Sequence, residues 1–269
     1  MRTSVTALDN WQECQMKYIY RGRRLKEYGY TPSGPLTSGT TFHDAMERAV
    51  MTGKLKDAYD YADGLLEDGN RFKPGVMRMI DRVPKWLLDV KIPVAEDKLE
   101  LDIDGITYVG KPDLWTVTDY GVVIYEFKTC SEKGAGVKKK LLNYEEWGIQ
   151  PVRYAWLLQQ SYDWLEGQPF YRQHILWSTQ DDPMEGNEIL ISQNAIDNAG
   201  RDMVRLANSV RETEAPTHHF TPLCNWCDYQ QLCRGWLTGA DVDGIIDEKY
   251  YEEEYVAHYY VVIWWARSR

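Results

Sequence analysis

The sequence predicts an α/β protein: a central sheet flanked by helices. Strand signals gather at 91–128 and return at 170–178, where β-branched and aromatic residues run between turn residues. Around them, apolar residues recur at three- and four-residue spacing, as in 74–89 and 192–211. With 269 residues and 43% hydrophobic content, the chain can bury a sizeable core.

Taken in order, Ser4 caps a helix over about Leu8–Arg21, with Leu8, Trp11, Met16 and Ile19 apolar and Cys14 inside it. Residues 31–39, TPSGPLTSG, read as a loop, and Thr40 caps a helix carrying Phe42, His43, Ala45, Met46 and Val50. Two more helices are expected at 55–66 and 74–89. Together these form a helical insertion over about 44–90, to which no chemistry is assigned. Lys91–Asp104 reads as one or two strands, and Asp104-Gly105 as a hairpin turn. Ile106–Val117 and Val122–Lys128 continue the sheet around a turn at Asp119-Tyr120-Gly121. Thr129–Glu145, with Gly134 and Gly136, reads as a mobile loop. Gln150–Gln160 is a helix, Phe170–Ser178 a strand, Asp181–Gly186 a loop, and Ser192 caps a helix to about Arg211.

The net charge of −10 is not that of a non-specific nucleic-acid binder. Its distribution is uneven. Residues 17–26 hold Lys17, Arg21, Arg23, Arg24 and Lys26 without an acid, a track suited to phosphate contacts. Lys138–Lys140, taken alone, reads rather as a solvated loop. No apolar stretch reaches membrane-span length, and MRTSVTALDN has no signal-peptide core, so a cytoplasmic protein without membrane contact is expected.

Glu126 and Lys128 interrupt the end of the apolar run VVIYEFK. Two apart on a strand, they share a face. If the two strands pair, Asp113 reaches that face. Two converging carboxylates make a hard-oxygen site for Mn²⁺ or Mg²⁺, and a lysine beside them can position a water or stabilise charge on a phosphate. Asp113 could instead close a turn and Glu126–Lys128 form a solvated pair, but the flanking VVIY argues for an internal strand.

Pro112-Asp113, a spacer and Glu126-Phe127-Lys128 resemble the signature of the PD-(D/E)xK nucleases. GTTFHDAME resembles the G-x-x-x-H helix of their RecB-like branch, and Gln150-x-x-x-Tyr154 a further motif of that branch. The resemblance implies a restriction-endonuclease-like mixed sheet. It implies that His43, Asp113, Glu126 and the Phe127 carbonyl hold Mn²⁺ or Mg²⁺, that Lys128 positions the attacking water, and that Gln150 and Tyr154 contact DNA.

Cys224, Cys227 and Cys233 stand as C-x₂-C-x₅-C, a spacing typical of metal ligands rather than of filler. A fourth ligand is needed; Cys14 and Cys130 compete, and spacing alone admits zinc or iron–sulfur. A distant N-terminal cysteine plus this triplet is similar to the iron–sulfur staple of CRISPR-associated RecB-like exonucleases. That likeness implies a [4Fe–4S] cluster on Cys14, Cys224, Cys227 and Cys233, joining the terminal segments to the nuclease core; zinc is the alternative.

The expected organisation is a nuclease domain over 1–238, with cluster segments around 14 and 224–233, followed by a tail over 239–269, acidic and then aromatic (YVAHYYVVIWWA, Tyr255–Ala266). The tail packs on the body or contacts a partner or second copy. The resemblance implies a metal-dependent DNA exonuclease favouring single-stranded ends and leaving 5′-phosphates. The alternative is a DNA-binding adaptor serving recombination or CRISPR adaptation. No helicase P-loop is present, so a motor, if one is needed, comes from a partner.

Overall fold

The computed structural model describes residues 1–28, 34–67, 69–90, 93–95 and 98–252. The apolar tail Tyr255–Ala266, with His258, and part of the Lys91–Asp104 stretch lie outside the described residues. The chain divides into two units: residues 1–12 with 31–214, and 13–30 with 215 onward.

In the first unit, β1 (Arg2–Ser4) runs into α1 (Val5–Glu13), and the Ser4 Oγ accepts the Ala7 N–H at 3.1 Å, as its capping role requires. The expected single helix is two, because Cys14 adopts an extended backbone (φ −163°, ψ 117°) that cannot continue the helical ladder; α2 (Gln15–Gly22) starts after it. β2 (Leu25–Glu27) follows.

α3 (Gly34–Thr52) begins well before the predicted Thr40 cap. Gly39 misled the reading: it sits inside the helix for close packing, since a Cβ there would lie 3.1 Å from Thr129 Oγ1. α4 (Leu55–Leu65), α5 (Lys73–Asp81) and the single turn α6 (Lys85–Leu88) complete the helical layer. Their apolar faces, with Phe42, Met46 and Val50 of α3, pack on one side of the sheet against Leu114, Val123, Tyr125, Phe127, Ile175 and Trp177. Burying that surface is the main source of their stability.

The strands are β3 (Val94–Ala95), β4 (Leu99–Ile103), β5 (Ile106–Gly110), β6 (Leu114–Thr118) and β7 (Gly121–Cys130). Asp104 (φ 51°) and Gly105 (φ 75°) make the predicted two-residue turn between β4 and β5. The predicted continuous strand Ile106–Val117 is broken at Lys111-Pro112-Asp113, and its halves join different sheets. Pro112 lacks the N–H that a ladder needs. β5 sits between β1 and β4 in a three-stranded sheet, while β6 pairs antiparallel with β7 in the larger one.

The predicted loop Thr129–Glu145 holds the end of β7 and a helix, α7 (Ala135–Trp147). Val137 and Leu141, four apart, pack on Leu176, so the helical stripe was present among the lysines and glycines that obscured it. α8 (Gln150–Ser161) and β8 (Phe170–Ser178) match the sequence reading. β8 runs parallel to β7, with Glu126 beside His174 and Lys128 beside Leu176. β9 (Met184–Glu185) and β10 (Ile189–Ile191) complete the larger sheet, in the order β10-β8-β7-β6-β3 with β9 on β8. α9 (Gln193–Glu212) carries its predicted cap, Ser192 Oγ accepting Ala195 N–H at 3.2 Å.

The second unit is built from both ends of the chain. α10 (Gln230–Thr238), α11 (Val242–Lys249) and β11 (Tyr250–Glu252) join α2 and β2. β11 pairs antiparallel with β2, and Tyr20, Leu25, Tyr229, Leu232, Ile246 and Tyr250 form its core. Residues 239–252, set apart as a tail by the sequence reading, thus belong to this unit. Among the described residues no helix is long and apolar enough to cross a membrane.

Candidate active site

The switch between sheets places Asp113 at the start of β6. The β6–β7 register pairs Leu114 with Tyr125, which sets Asp113 opposite Glu126. Asp113 Oδ2 accepts the Phe127 backbone N–H at 2.7 Å. Its Oδ1 lies 3.1 Å from His43 Nδ1. His43 is four residues after Gly39, on the same face of α3, so the glycine that lets the helix approach β7 also delivers the imidazole.

Glu126 is only 3% exposed, and its Oε2 accepts from Lys128 Nζ at 2.9 Å. The same Nζ donates to Gln150 Oε1, in the first turn of α8, at 3.3 Å. Burial, then the neighbouring Asp113 charge, pushes the Glu126 carboxyl up to about 7 against the pull of Lys128 and His43. Burial lowers the Lys128 ammonium pKa, but Glu126 and Asp113 more than offset it, and the net direction is up. The Phe127 ring faces away, into the core against α3.

His43, Asp113, Glu126, Lys128 and Gln150 are therefore brought together. Tyr154 is buried one turn further along α8: a Cβ on Gly110 would lie 3.1 Å from Tyr154 Cδ1, so its ring covers β5. The sequence reading missed His174, which β8 places beside Glu126 and which is 2% exposed. Its signal lay in the parallel alignment of two runs that were read separately.

An imidazole and two carboxylates suit Mn²⁺ or Mg²⁺, and among the described residues the buried Glu126 Oε1 has no hydrogen-bond partner, so the carboxylate keeps acceptor capacity to spare. Among the described residues, however, no three His, Cys, Asp or Glu side chains are arranged to hold a metal ion. The hydrogen bonds explain this: Asp113 faces His43, and Lys128 occupies Glu126 Oε2. The donor types fit; the side chains are turned toward one another.

Cys14, Cys224, Cys227 and Cys233 all belong to the second unit, and Cys130 to the first. All five are free. Burial and then the neighbouring Cys14, Cys227 and Cys224 push the Cys233 thiol up to about 11; among the described residues the four are not arranged to hold a metal ion. Cys227 is raised chiefly by burial.

The profile of the PD-(D/E)XK nuclease superfamily matches residues 2–234. No curated protein matches the chain. Among solved structures, the chain is similar to "Putative exonuclease" from Eubacterium rectale, with 15% identity, a TM-score of 0.55, and 84% of this chain and 86% of that one covered; this likeness shows the fold alone. The structure of SSO0001 covers 86% of this chain and 85% of its own at 16% identity, but its TM-score of 0.40 carries no argument. With its family motif residues gathered at the sheet switch and most of its length matched, the chain belongs to the PD-(D/E)XK nuclease superfamily.

Proposed function

We propose that the protein is a divalent-metal-dependent DNA nuclease, an exonuclease acting on single-stranded ends and leaving 5′-phosphates. The observation that carries this reading is the convergence of His43, Asp113, Glu126 and Lys128. His43, Asp113 and Glu126, with the Phe127 carbonyl, would hold Mn²⁺ or Mg²⁺, which supplies Lewis acidity and a more acidic water when bound. Holding the ion would require Asp113 Oδ1 and Glu126 Oε2 to exchange their present contacts with His43 and Lys128 for the metal. Lys128 then holds the nucleophilic water by hydrogen bonding, with its ammonium kept in place by Gln150. Gln150 and Tyr154 belong to the DNA-binding side of the site in this reading. Gln150 reaches the reacting groups through Lys128, whereas Tyr154 acts by seating α8 on β5.

In the second unit, Cys14, Cys224, Cys227 and Cys233 hold a [4Fe–4S] cluster, with zinc as the alternative occupant. The placement of all four in one unit, with Cys14, Cys227 and Cys224 each acting on the Cys233 thiol, supports this choice over Cys130.

The test is cleavage of end-labelled single- and double-stranded DNA with Mn²⁺, Mg²⁺ or EDTA, wild type beside Lys128→Ala. Metal-dependent cleavage lost in the variant supports the reading, and the label position gives polarity. Absence of cleavage by cluster-loaded wild type favours the adaptor.

A further inference from the structure

Glu126 and His174 are partners in the parallel β7–β8 ladder, so their side chains leave the sheet on the same face, on strands about 4.8 Å apart. Both are buried, at 3% and 2% exposure. Among the described residues, neither Glu126 Oε1 nor His174 Nδ1 has a hydrogen-bond partner. Buried polar atoms are rarely left so, and an orphaned acceptor on the ladder partner of an imidazole nitrogen that donates in one tautomer makes a complementary pair.

The surroundings hold the imidazole in place. Its ring stacks on Tyr144 of α7 (centroids 6.0 Å, planes 18° apart). A Cβ on Gly148 would lie 2.9 Å from its Nε2, so the α7–α8 junction closes on the ring only because that residue is glycine. Arg172, two residues before His174 on β8, donates to the carbonyls of Gly148 and Glu145 and fixes the junction.

We propose that His174 is a positioning residue for Glu126: its Nδ1–H donates to Glu126 Oε1, directly or through one water, and orients that carboxylate toward the cation. The inference rests on the metal-dependent reading above. Partners of this kind behind a ligating carboxylate are worth about 10- to 100-fold in metal affinity or activity. Apolar packing alone would need only a side chain that fills the space beside Tyr144.

The decisive comparison is His174→Gln against His174→Leu. Gln retains an N–H donor, whereas Leu fills the space without one. The readouts are Mn²⁺ affinity by calorimetry, kcat and KM on single-stranded DNA, and thermal unfolding. Leu is expected to weaken Mn²⁺ binding and lower kcat by about 10- to 100-fold, with KM for DNA unchanged, and Gln to recover most of both. Wild-type values in the Leu variant, or a Gln variant as poor as Leu, would overturn the proposal. Should the variants not fold, ¹⁵N-histidine NMR of the wild-type chain decides: a proton on His174 Nδ1 supports it, and a proton on Nε2 alone overturns it. This readout needs neither metal nor cleavage, so it stands even if the nuclease reading fails.

Discussion

Asp113 Oδ2 accepts the Phe127 backbone N–H at 2.7 Å, so the acid that opens one strand is tied to the backbone of the strand carrying the next acid. Asp113→Asn keeps an acceptor for that N–H and removes the charge. It should lose cleavage by about 10³-fold or more, with little change in unfolding temperature. Asp113→Ala removes the acceptor as well and should cost a further ~1–3 kcal/mol of stability by denaturant titration. Wild-type cleavage in either variant would remove Asp113 from the site.

Glu126 and His174 have opposite pH linkages. The Glu126 carboxyl is raised, so its burial costs stability as pH rises from about 4.5 toward about 7. The His174 imidazole is depressed to about 4, mainly by burial and then by Arg172 and Lys128, against Asp113. Its contribution is present above its ordinary 6.5 and is lost as pH falls toward 4. The slopes oppose each other where they overlap. Glu126→Gln should therefore unfold at a higher temperature than wild type at pH 8, yet lose stability more steeply on acidification below pH 6.5, while losing cleavage. An unchanged melting profile against pH would show that Glu126 is not held as described.

Gln150 meets the reaction only through Lys128. Gln150→Ala should lower kcat by about 10-fold, less than Lys128→Ala, because it loosens the ammonium without removing it. Equal losses in the two variants would assign Gln150 a direct role.

Gly200 of α9 sits against α8: a Cβ there would lie 2.2 Å from Trp156 Nε1. Gly200→Ala should cost about 1–3 kcal/mol by overpacking, measured by urea titration. Since α8 also carries Gln150, cleavage should fall with it. A neutral substitution would mean that α8 and α9 part easily.

Anaerobically purified protein should contain iron and sulfide, both lost in Cys14→Ser and Cys233→Ser and retained in Cys130→Ser. Stoichiometric zinc without sulfide would make the site a zinc site.

The acids and the lysine were legible because a buried strand tolerates Glu126 and Lys128 only for a reason, and because the turn at Asp119–Gly121 fixed their pairing with Asp113. The split of Ile106–Val117 between sheets was marked by Pro112, yet β5 and β6 have the same propensities and only their neighbours tell them apart. α7 was hidden by local composition. His174 was out of reach because its significance comes from a parallel pairing across more than forty residues, which no local pattern encodes. The division into units eluded a linear reading for the same reason: one unit is drawn from both ends of the chain.

That last feature sets a timetable for biosynthesis. Cys14 and Cys224 are separated by 210 positions, which at about 5–20 residues per second puts roughly 10 to 40 seconds of translation between them. β2 has no β11 to pair with until residues 250–252 have left the ribosome. The first unit, complete at residue 214, can collapse before its neighbour exists. During that interval Cys14 is a lone thiol, so delivery of any shared inorganic group belongs to the end of synthesis, and ribosome-stalled chains ending before Cys224 should accept none.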